Sequence, residues 1–274
     1  MKKLINFQPQ PSWRLLLGLL PFVVVLIIYS IGSDARLLEN PNDKLLPSFE
    51  QMGNAIQRMA FEPSKRSGEY LFWVDTTSSL IRLSLGVFLA AILGLVIGIV
   101  IGALPVMGAG FSPFLTVISL VPPLALLPIL FIVFGLGELS KVVLIMVGIT
   151  PLIARDIQGY AQEIPREQII KAQTLGGNTI QIILRVILPQ LLPRLISSVR
   201  LAMGTAWLFL IAAEAVASTD GLGYRIFLVR RYLAMDVILP YVAWITLLAF
   251  LFDVALVWLS RKIFPWHHEG GASS

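Results

Sequence analysis

Residues 83–104 form an apolar stretch without one charged side chain, and residues 113–134 form a second such stretch. An α-helix needs about 20 predominantly apolar residues to cross a bilayer, because the hydrocarbon core is about 30 Å thick. A helix of this length in a water-soluble domain keeps a charged or strongly polar face toward the solvent. These two stretches have no such face, so the chain is predicted to place them in a membrane.

Four further apolar stretches complete a set of six predicted spans, namely residues 15–31, 142–153 with their flanks, 196–217 and 238–259. Hydrophobic residues make up 57% of the 274 residues and charged residues 14%, against about 45–50% and about 25% in soluble domains. The chain is therefore predicted to be an all-α polytopic membrane protein. The first span could belong to a signal peptide, but residues 30–33 are a poor cleavage site, which favours an uncleaved span.

Lysine and arginine residues in short loops indicate which side of a membrane is cytoplasmic. With six spans, ten of them fall on one side: Lys2, Lys3, Arg14, Arg155, Arg166, Lys171, Arg185, Arg194, Arg261 and Lys262. The opposite loop 218–237 carries three, Arg225, Arg230 and Arg231. Both termini are therefore predicted to be cytoplasmic, with 1–14 as the N-terminal segment, 15–266 as a single transmembrane domain and 267–274 as a disordered tail.

The segment 32–79 is predicted to be external and contains one helical pattern. Ser48 and Gln51 have the spacing of a capping box, in which each side chain bonds the other residue's backbone N–H. Apolar residues then recur at helical spacing, at Phe49, Met52, Ile56 and Met59. Such a helix lies either on the membrane surface or against the bundle, and both interpretations stay open at this point.

Small residues stand at every fourth position of the second span: Gly86, Ala90, Gly94, Gly98 and Gly102. Such a row lets two helix backbones approach closely in lipid. We therefore predict a close helix contact, either within the bundle or across a dimer.

The third span carries four prolines, Pro113, Pro122, Pro123 and Pro128, which remove backbone donors and bend a helix. Broken helices at membrane depth are tolerated where they are buried in protein or line a water-filled cavity. This span is predicted to line a pathway, with a merely kinked structural helix as the alternative.

Two acids fall inside predicted spans, Glu214 in the fifth and, as a weaker signal, Asp253 in the sixth. An acid at this depth is costly and should face protein or water rather than lipid. Glu214 can pair with an arginine, bond a neighbouring helix or line a path, and the sequence favours none of these.

The predicted cytoplasmic loop, 155–195, carries a pattern for two short helices. The signals of the first are Pro165 in its first turn, Ile169, Ala172 and Leu175 at helical spacing, and Gly176-Gly177 at its end. Asn178 can cap the second, which Pro189 and Pro193 are predicted to end. A single cytoplasmic helix this small has no core of its own, which indicates that it fits a groove of a partner protein.

These residues resemble a known family. Ala172-Gln173-Thr174-Leu175-Gly176, followed by Leu188-Pro189 and Pro193, resembles the cytoplasmic EAA loop of ABC-importer permeases. Over about residues 46–266 the chain is similar to the nitrate/sulfonate/taurine/bicarbonate permease family, through 79–82, 121–128, 134–141, 199–207, 221–224, Glu214, Asp253 and Trp266. Ile170 stands where the motif has an acid and Lys171 where it has a small residue, so the ATPase contacts themselves are left open.

The resemblance implies a type I ABC-importer permease architecture and a permease subunit of an ATP-driven importer in the bacterial inner (cytoplasmic) membrane. Such permeases pair with a second permease copy, a cytoplasmic ABC ATPase and an external, periplasmic substrate-binding protein, and they import small anions, sulfonates or other small organic solutes. The residues implied in ATPase coupling are Pro165, Ile169, Ala172, Leu175, Gly176 and Pro189. The residues implied in the translocation path or its gating are Pro122, Pro123, Pro128, Trp207 and Glu214.

The sequence predicts no chemistry of its own. It has no G-x-x-x-x-G-K-[ST] phosphate loop, so ATP is expected to bind to the partner. It has no cysteine, and its two histidines lie at 267–268 without a third ligand, so no metal site, no cofactor and no enzymatic activity are predicted. The alternative function is an ion-gradient-driven secondary transporter with Glu214 and Asp253 as coupling carboxylates, which leaves the cytoplasmic helix unexplained.

Overall fold

The computed structural model describes residues 11–40, 43–65 and 67–266, which form helices without a strand, as predicted for an all-α fold. The helices are α1 (Pro11–Glu39), α2 (Phe49–Ala60), α3 (Leu71–Ala103), α4 (Pro105–Ser119), α5 (Leu127–Phe134), α6 (Glu138–Glu163), α7 (Arg166–Thr174), α8 (Thr179–Ile182), α9 (Leu188–Val216), α10 (Leu222–Arg230) and α11 (Met235–Ile263). A 3-10 turn precedes α5 and a π-helical turn joins α8 to α9. The predicted disordered tail, 267–274, lies outside the described residues.

The described helices supply six spans. Five units are long and apolar enough to cross a membrane alone: α1, α3, α6, α8 with α9, and α11. A Cβ at Gly86 would meet Ile145, and a Cβ at Gly102 would meet Ala161, so α3 and α6 run parallel. The chain thus leaves one end of α3 and enters α6 at the opposite end. The bent pair between them, α4 and α5 with an angle of 81°, therefore crosses the bundle and is the third span.

The predicted spans differ from the observed helices at their ends, and α3 begins at Leu71 rather than at 83, so residues 71–79 of the predicted external segment are helical. Two spans differ further. The third, predicted as one helix over 113–134, is broken near Pro122 and Pro123. Proline has no N–H to donate and restricts the residue before it, so the paired prolines end one helix and start the next. The fourth is much longer than the predicted 142–153, because α6 continues into polar residues on both sides.

The prediction that Pro189 and Pro193 end the second cytoplasmic helix is wrong. Asn178 does cap α8, and its side chain accepts a hydrogen bond from Gln181 N at 2.9 Å. The chain then continues through the π turn, Ile183–Ile187, into α9. Pro189 falls in the first turn of α9, where a missing N–H leaves no helical bond unmade, so it is accommodated rather than ending the helix.

The small residues of α3 pack against α6, which confirms a close helix contact and places it within the bundle. Gly86, Ala90, Gly94 and Gly98 are buried. A Cβ at Gly98 would lie 2.7 Å from the carbonyl oxygen of Ala154, closer than a carbon atom can approach. The two backbones therefore touch where a larger side chain would separate them.

α1 and α2 lie at the edge of the bundle. The predicted capping box of α2 is present, with Gln51 N donating to Ser48 Oγ at 3.2 Å and Ser48 N donating to Gln51 Oε1 at 3.0 Å. Ala55 and Ala60 are buried, and α2 packs against α3 and α11, so it belongs to the bundle. α1 exposes most of its apolar side chains and is tied to the loop before α2 by a hydrogen bond from Tyr29.

The two ends of the bundle are built differently. At the end that we call the α10 end, α3 and α6 begin, α9 ends, and α10 packs across the helix ends. At the end that we call the α7 end, α6 and α11 end, α9 begins, and α7 lies between α6 and α8 in the chain. These two ends carry the candidate functional features.

Candidate functional site

Buried ionic groups centred on Arg82 of α3 hold the α10 end together. The Arg82 side chain is only 3% exposed. Its Nη1 donates to Glu214 Oε1 at 2.7 Å and its Nη2 donates to Asp220 Oδ1 at 2.6 Å, and it also bonds Glu138 at the start of α6. One guanidinium group therefore joins α3, α6, α9 and the loop before α10.

Glu214 is fully buried. Besides Arg82, its carboxylate accepts hydrogen bonds from Ser79 Oγ at 2.7 Å and from the backbone N–H of Gly223 at 2.8 Å. A Cβ at Gly221 would lie 2.5 Å from the carboxylate, and the φ of Gly221 is +115°, so only glycine fits there. Of the roles left open for Glu214, the structure shows two: it pairs with an arginine, Arg82, and it accepts a hydrogen bond from a neighbouring helix through Ser79 of α3.

A second buried carboxylate, Asp75, ties α10 to the start of α3. It accepts hydrogen bonds from the backbone N–H of Gly221 at 3.0 Å, from Arg225 Nε at 2.7 Å and from Tyr241 Oη at 3.0 Å. Burial of a charge is tolerated only where it is paired and hydrogen-bonded. The two carboxylates and their arginines, which we call the α10 network, therefore have a structural role in closing this end.

Sequence analysis assigned neither Asp75 nor Arg82 to a site, although a signal for them exists. Asp75, Ser79 and Arg82 stand at helical spacing and lead directly into Gly86 and the small residues beyond it. Residues three and four positions apart share one face of a helix. The polar row therefore extends the face of α3 that packs within the bundle, but its partner Glu214 lies 132 residues from Arg82 and cannot be read from spacing.

A groove, which we call the α6–α9 groove, runs between the third span, α6 and α9. Its first part, of about 360 Å³, is apolar and lies beside the bend, with Pro123, Gly148, Pro151, Leu152 and Phe209 in its lining. Its second part, of about 480 Å³, is lined by Leu152, Arg155, Asp156, Ser198, Leu201 and Ala202. Leu152 borders both parts, so they adjoin and the groove passes from apolar to charged surroundings.

The residues implied in the translocation path are only partly brought together. Pro122 and Pro123 form the bend, Pro123 borders the groove, and Pro128 follows in α5. Trp207 is buried in the core, where its Nε1 has no hydrogen-bond partner among the described residues. Glu214 lies in the α10 network. Of these five residues, only Pro123 therefore lines the groove, and Trp207 and Glu214 lie apart from it.

α7 forms where the sequence predicts the first cytoplasmic helix. Pro165 is its N-cap residue. At its other end the backbone N–H of Gly177 donates to the Ala172 carbonyl at 3.0 Å, and the φ of Gly176 is +84°. This is the motif in which a left-handed glycine closes a helix. Pro189, the last of the implied coupling residues, is exposed in the first turn of α9.

The two faces of α7 have different surroundings. Ile169 and Ala172 pack against the bundle core, whereas Leu175 is 89% exposed. Four apolar side chains of α7 and of the segment that follows it are exposed, and we call them the α7 patch: Ile170, Leu175, Ile180 and Leu184. Exposed apolar side chains concentrated in one segment are typical of protein-interaction sites.

The two acids that the sequence places inside predicted spans, Glu214 and Asp253, are both engaged in ion pairs. Asp253 of α11 accepts two hydrogen bonds from Arg200 of α9, at 2.7 and 2.9 Å, as Glu214 is held by Arg82. Among the described residues, no group of three or more His, Cys, Asp or Glu side chains could hold a metal ion. Neither acid therefore has the environment of a metal ligand.

Six spans, one of them broken, define a polytopic membrane protein of all-helical fold. Residues 90–265 match the family described as binding-protein-dependent transport system inner membrane component, and the chain belongs to this family.

Relatives and a solved structure agree with this assignment. The taurine transport system permease protein TauC of Escherichia coli is 36% identical over 197 residues, 72% of each chain. The bicarbonate transport system permease protein CmpB of Synechococcus elongatus is 30% identical over 251 residues, 90% of this chain and 88% of the relative. An inward facing structure of the MetNI methionine ABC transporter shares the fold, with a TM-score of 0.63, 21% identity and coverage of 73% of this chain and 99% of that one. The resemblance to this permease family and its architecture is confirmed.

Proposed function

We propose that this chain is the permease subunit of an ATP-driven importer in the bacterial inner membrane and that it carries a small sulfonate- or bicarbonate-type solute. Membership of the family supports the importer role, and the relatives named for taurine and bicarbonate transport support the solute class. The observation that carries the proposal is the α7 patch, on a helix whose other face is fixed to the bundle.

α7 can transmit movement from a partner to the spans. Ile169 and Ala172 connect its inner face to the core, and Gln190 Nε2 of α9 donates to Gln168 Oε1 of α7 at 3.0 Å. A partner that grips the α7 patch would therefore move α9 together with α7. That partner would be a cytoplasmic ABC ATPase, which would bind the ATP, because this sequence has no phosphate loop. Pro165, Gly176 and Pro189 would fix the two ends of the coupling segment.

The two ends of the bundle suggest where the remaining subunits would bind. The basic residues near α7 favour a cytoplasmic location for the α7 end, which would also place both termini inside. The α10 end would then face the external substrate-binding protein. A second copy of the chain would cover the open side of the α6–α9 groove. Pro122, Pro123 and Pro128 would shape the path, while Trp207 and Glu214 would support the helices that gate it.

The alternative, an ion-gradient-driven transporter, needs a carboxylate that can bind and release the coupling ion. Glu214 is held by Arg82, Ser79 and a backbone N–H, and Asp253 is held by Arg200. Neither carboxylate is placed for that task, and no other observation favours this function.

Leu175→Glu tests the proposal, because it introduces a charge into the α7 patch at a side chain that is 89% exposed. We expect L175E to insert and fold normally, to lose copurification with the ATPase and to lose ATP-dependent uptake of labelled taurine into proteoliposomes. Leu136→Glu is the matched control for ATPase binding, since Leu136 is an exposed leucine before α6 at the opposite end of the bundle, and it should keep copurification with the ATPase. Normal ATPase binding and uptake by a well-inserted L175E would refute the assignment.

A further inference from the structure

Two adjacent charged residues border the second part of the α6–α9 groove without a charged partner. Arg155 Nη1 donates to Ser119 Oγ at 3.0 Å, and Ser198 Oγ donates to Asp156 Oδ2 at 2.5 Å. Neither charge takes part in an ion pair with any described residue. Both reach the groove because α6 continues well past the apolar stretch that sequence analysis identified.

Three ion pairs join charged side chains of different helices in the bundle. The pairs are Arg82–Glu214, Arg225–Asp75 and Arg200–Asp253. A charge beside an apolar surface is costly unless water or a ligand takes the place of a missing partner. Arg155 and Asp156 are therefore able to attract an ionic ligand into the groove, which the paired residues are not.

The two charges are held apart from each other. Successive residues of an α-helix differ in direction by about 100°, so the side chains of Arg155 and Asp156 leave α6 at different angles. Each is oriented by a hydroxyl of another helix, Ser119 at the end of α4 and Ser198 in α9. Nε and Nη2 of Arg155 and Oδ1 of Asp156 make no hydrogen bond to the described residues, so both groups keep bonding capacity toward the groove.

We propose that Arg155 and Asp156 form a subsite for a small zwitterion, in which Arg155 binds the oxyanion and Asp156 binds the ammonium group. The planar guanidinium fork matches two oxygens of a sulfonate or carboxylate. A carboxylate that accepts one hydroxyl bond still has lone pairs for an ammonium N–H. This inference rests on the proposed function and narrows its solute class to molecules that carry both charges.

Equilibrium binding to the purified permease–ATPase complex, without ATP and without the binding protein, tests the subsite. The probes are taurine and isethionate, which share a sulfonate but differ in the amine, measured by calorimetry. We expect Arg155→Gln to weaken binding of both probes by about 10- to 100-fold, since it removes a charge-assisted bond. Asp156→Asn should weaken taurine binding by about 10-fold and leave isethionate binding unchanged.

Two control variants distinguish the loss of a contact with the probe from a general loss of the folded structure. Arg261→Gln removes an exposed arginine from the last turn of α11, outside the groove, and should bind both probes as the wild type does. Arg155→Lys keeps the charge without the fork and should give an intermediate loss. Wild-type binding of both probes by R155Q, equal effects of D156N on the two probes, or no taurine binding by the wild-type complex would each overturn the subsite.

Arg155 could instead attract a lipid headgroup, which offers the same oxyanion chemistry. The binding measurement is therefore repeated in nanodiscs with and without phosphatidylglycerol. An effect of R155Q on retained phosphatidylglycerol alone, with taurine binding unchanged, would assign Arg155 to lipid and overturn the proposal. ATP-driven taurine uptake, measured at saturating binding protein, separates the subsite from the importer assignment. A maximal uptake rate in R155Q equal to that of the wild type refutes the subsite only. No ATP-driven uptake of any sulfonate or of bicarbonate by the wild type refutes the importer assignment.

Discussion

The α10 end and the α7 end of this bundle treat charge and apolar surface in opposite ways. At the α10 end, Arg82 is 3% exposed and bonds three carboxylates. At the α7 end, Arg155 has a single hydroxyl partner among the described residues, and the α7 patch leaves Leu175 89% exposed. At the α10 end the chain therefore pairs its charged side chains with one another. At the α7 end it leaves a charged side chain unpaired and apolar side chains exposed.

This difference indicates where the protein is rigid and where it receives partners. A buried, fully bonded network fixes the relative positions of α3, α6, α9 and α10. An exposed apolar patch and unpaired charges gain favourable contacts only when something else binds.

The largest expected effect is at Arg82. Arg82→Ala leaves Glu214 buried without a cation, and loss of one partner from a buried pair costs about 3–5 kcal/mol. We expect a decrease of this size in the free energy of unfolding in detergent, together with faster hydrogen exchange in the loop before α10.

Two further variants sharpen this comparison. Adding Glu214→Gln to R82A should recover part of the stability, because the unpaired charge is the main cost. Arg231→Ala, at an exposed position after α10, should leave the unfolding free energy unchanged. An R82A protein as stable as R231A would show that the α10 network does not hold this end closed.

A smaller effect is expected in the α3–α6 contact. Gly98→Ala places a Cβ 2.7 Å from the Ala154 carbonyl oxygen, and overpacking of this kind costs about 1–3 kcal/mol. Gly110→Ala in α4 is the matched control, because a Cβ there meets nothing within 4 Å and alanine favours a helix over glycine. Equal unfolding free energies for G98A and G110A would disprove the backbone contact.

The smallest effect is expected at Arg200, whose ion pair with Asp253 is exposed. The side chains of Arg200 and Asp253 are 36% and 43% exposed, and a pair that water reaches contributes about 0–1 kcal/mol. Arg200→Gln should therefore lower the unfolding free energy far less than R82A does. A loss as large as that of R82A would remove the distinction between buried and exposed pairs on which the comparison depends.

Local features of the fold could be predicted because their physical causes are local. The capping residues Ser48 and Asn178, the glycine end of α7 and the packing row of α3 each follow from spacing along one helix. The prediction that a helix ends at Pro189 is wrong because it depended on more than the spacing of residues along one helix. Whether a proline ends a helix depends on the preceding turn, and here a π turn places Pro189 where its missing N–H costs no bond.

The candidate sites could be predicted only in part, because their contacts join distant segments. The helix α7 was visible as an isolated amphipathic pattern, but its inner and outer faces depend on where the bundle lies. Arg82 and Glu214 meet only once α3 and α9 pack together. Arg155 was assigned to a loop because the apolar pattern of α6 fades before it, although the helix continues.

The side of the membrane on which α7 lies is the most direct test of the account. The sequence contains no cysteine, so single variants Leu175→Cys and Leu136→Cys can be labelled without background. We predict that a membrane-impermeant maleimide labels L136C in intact cells, and labels L175C only after permeabilisation and less when the ATPase is bound. Labelling of L175C in intact cells, or labelling that the ATPase does not alter, would contradict the account.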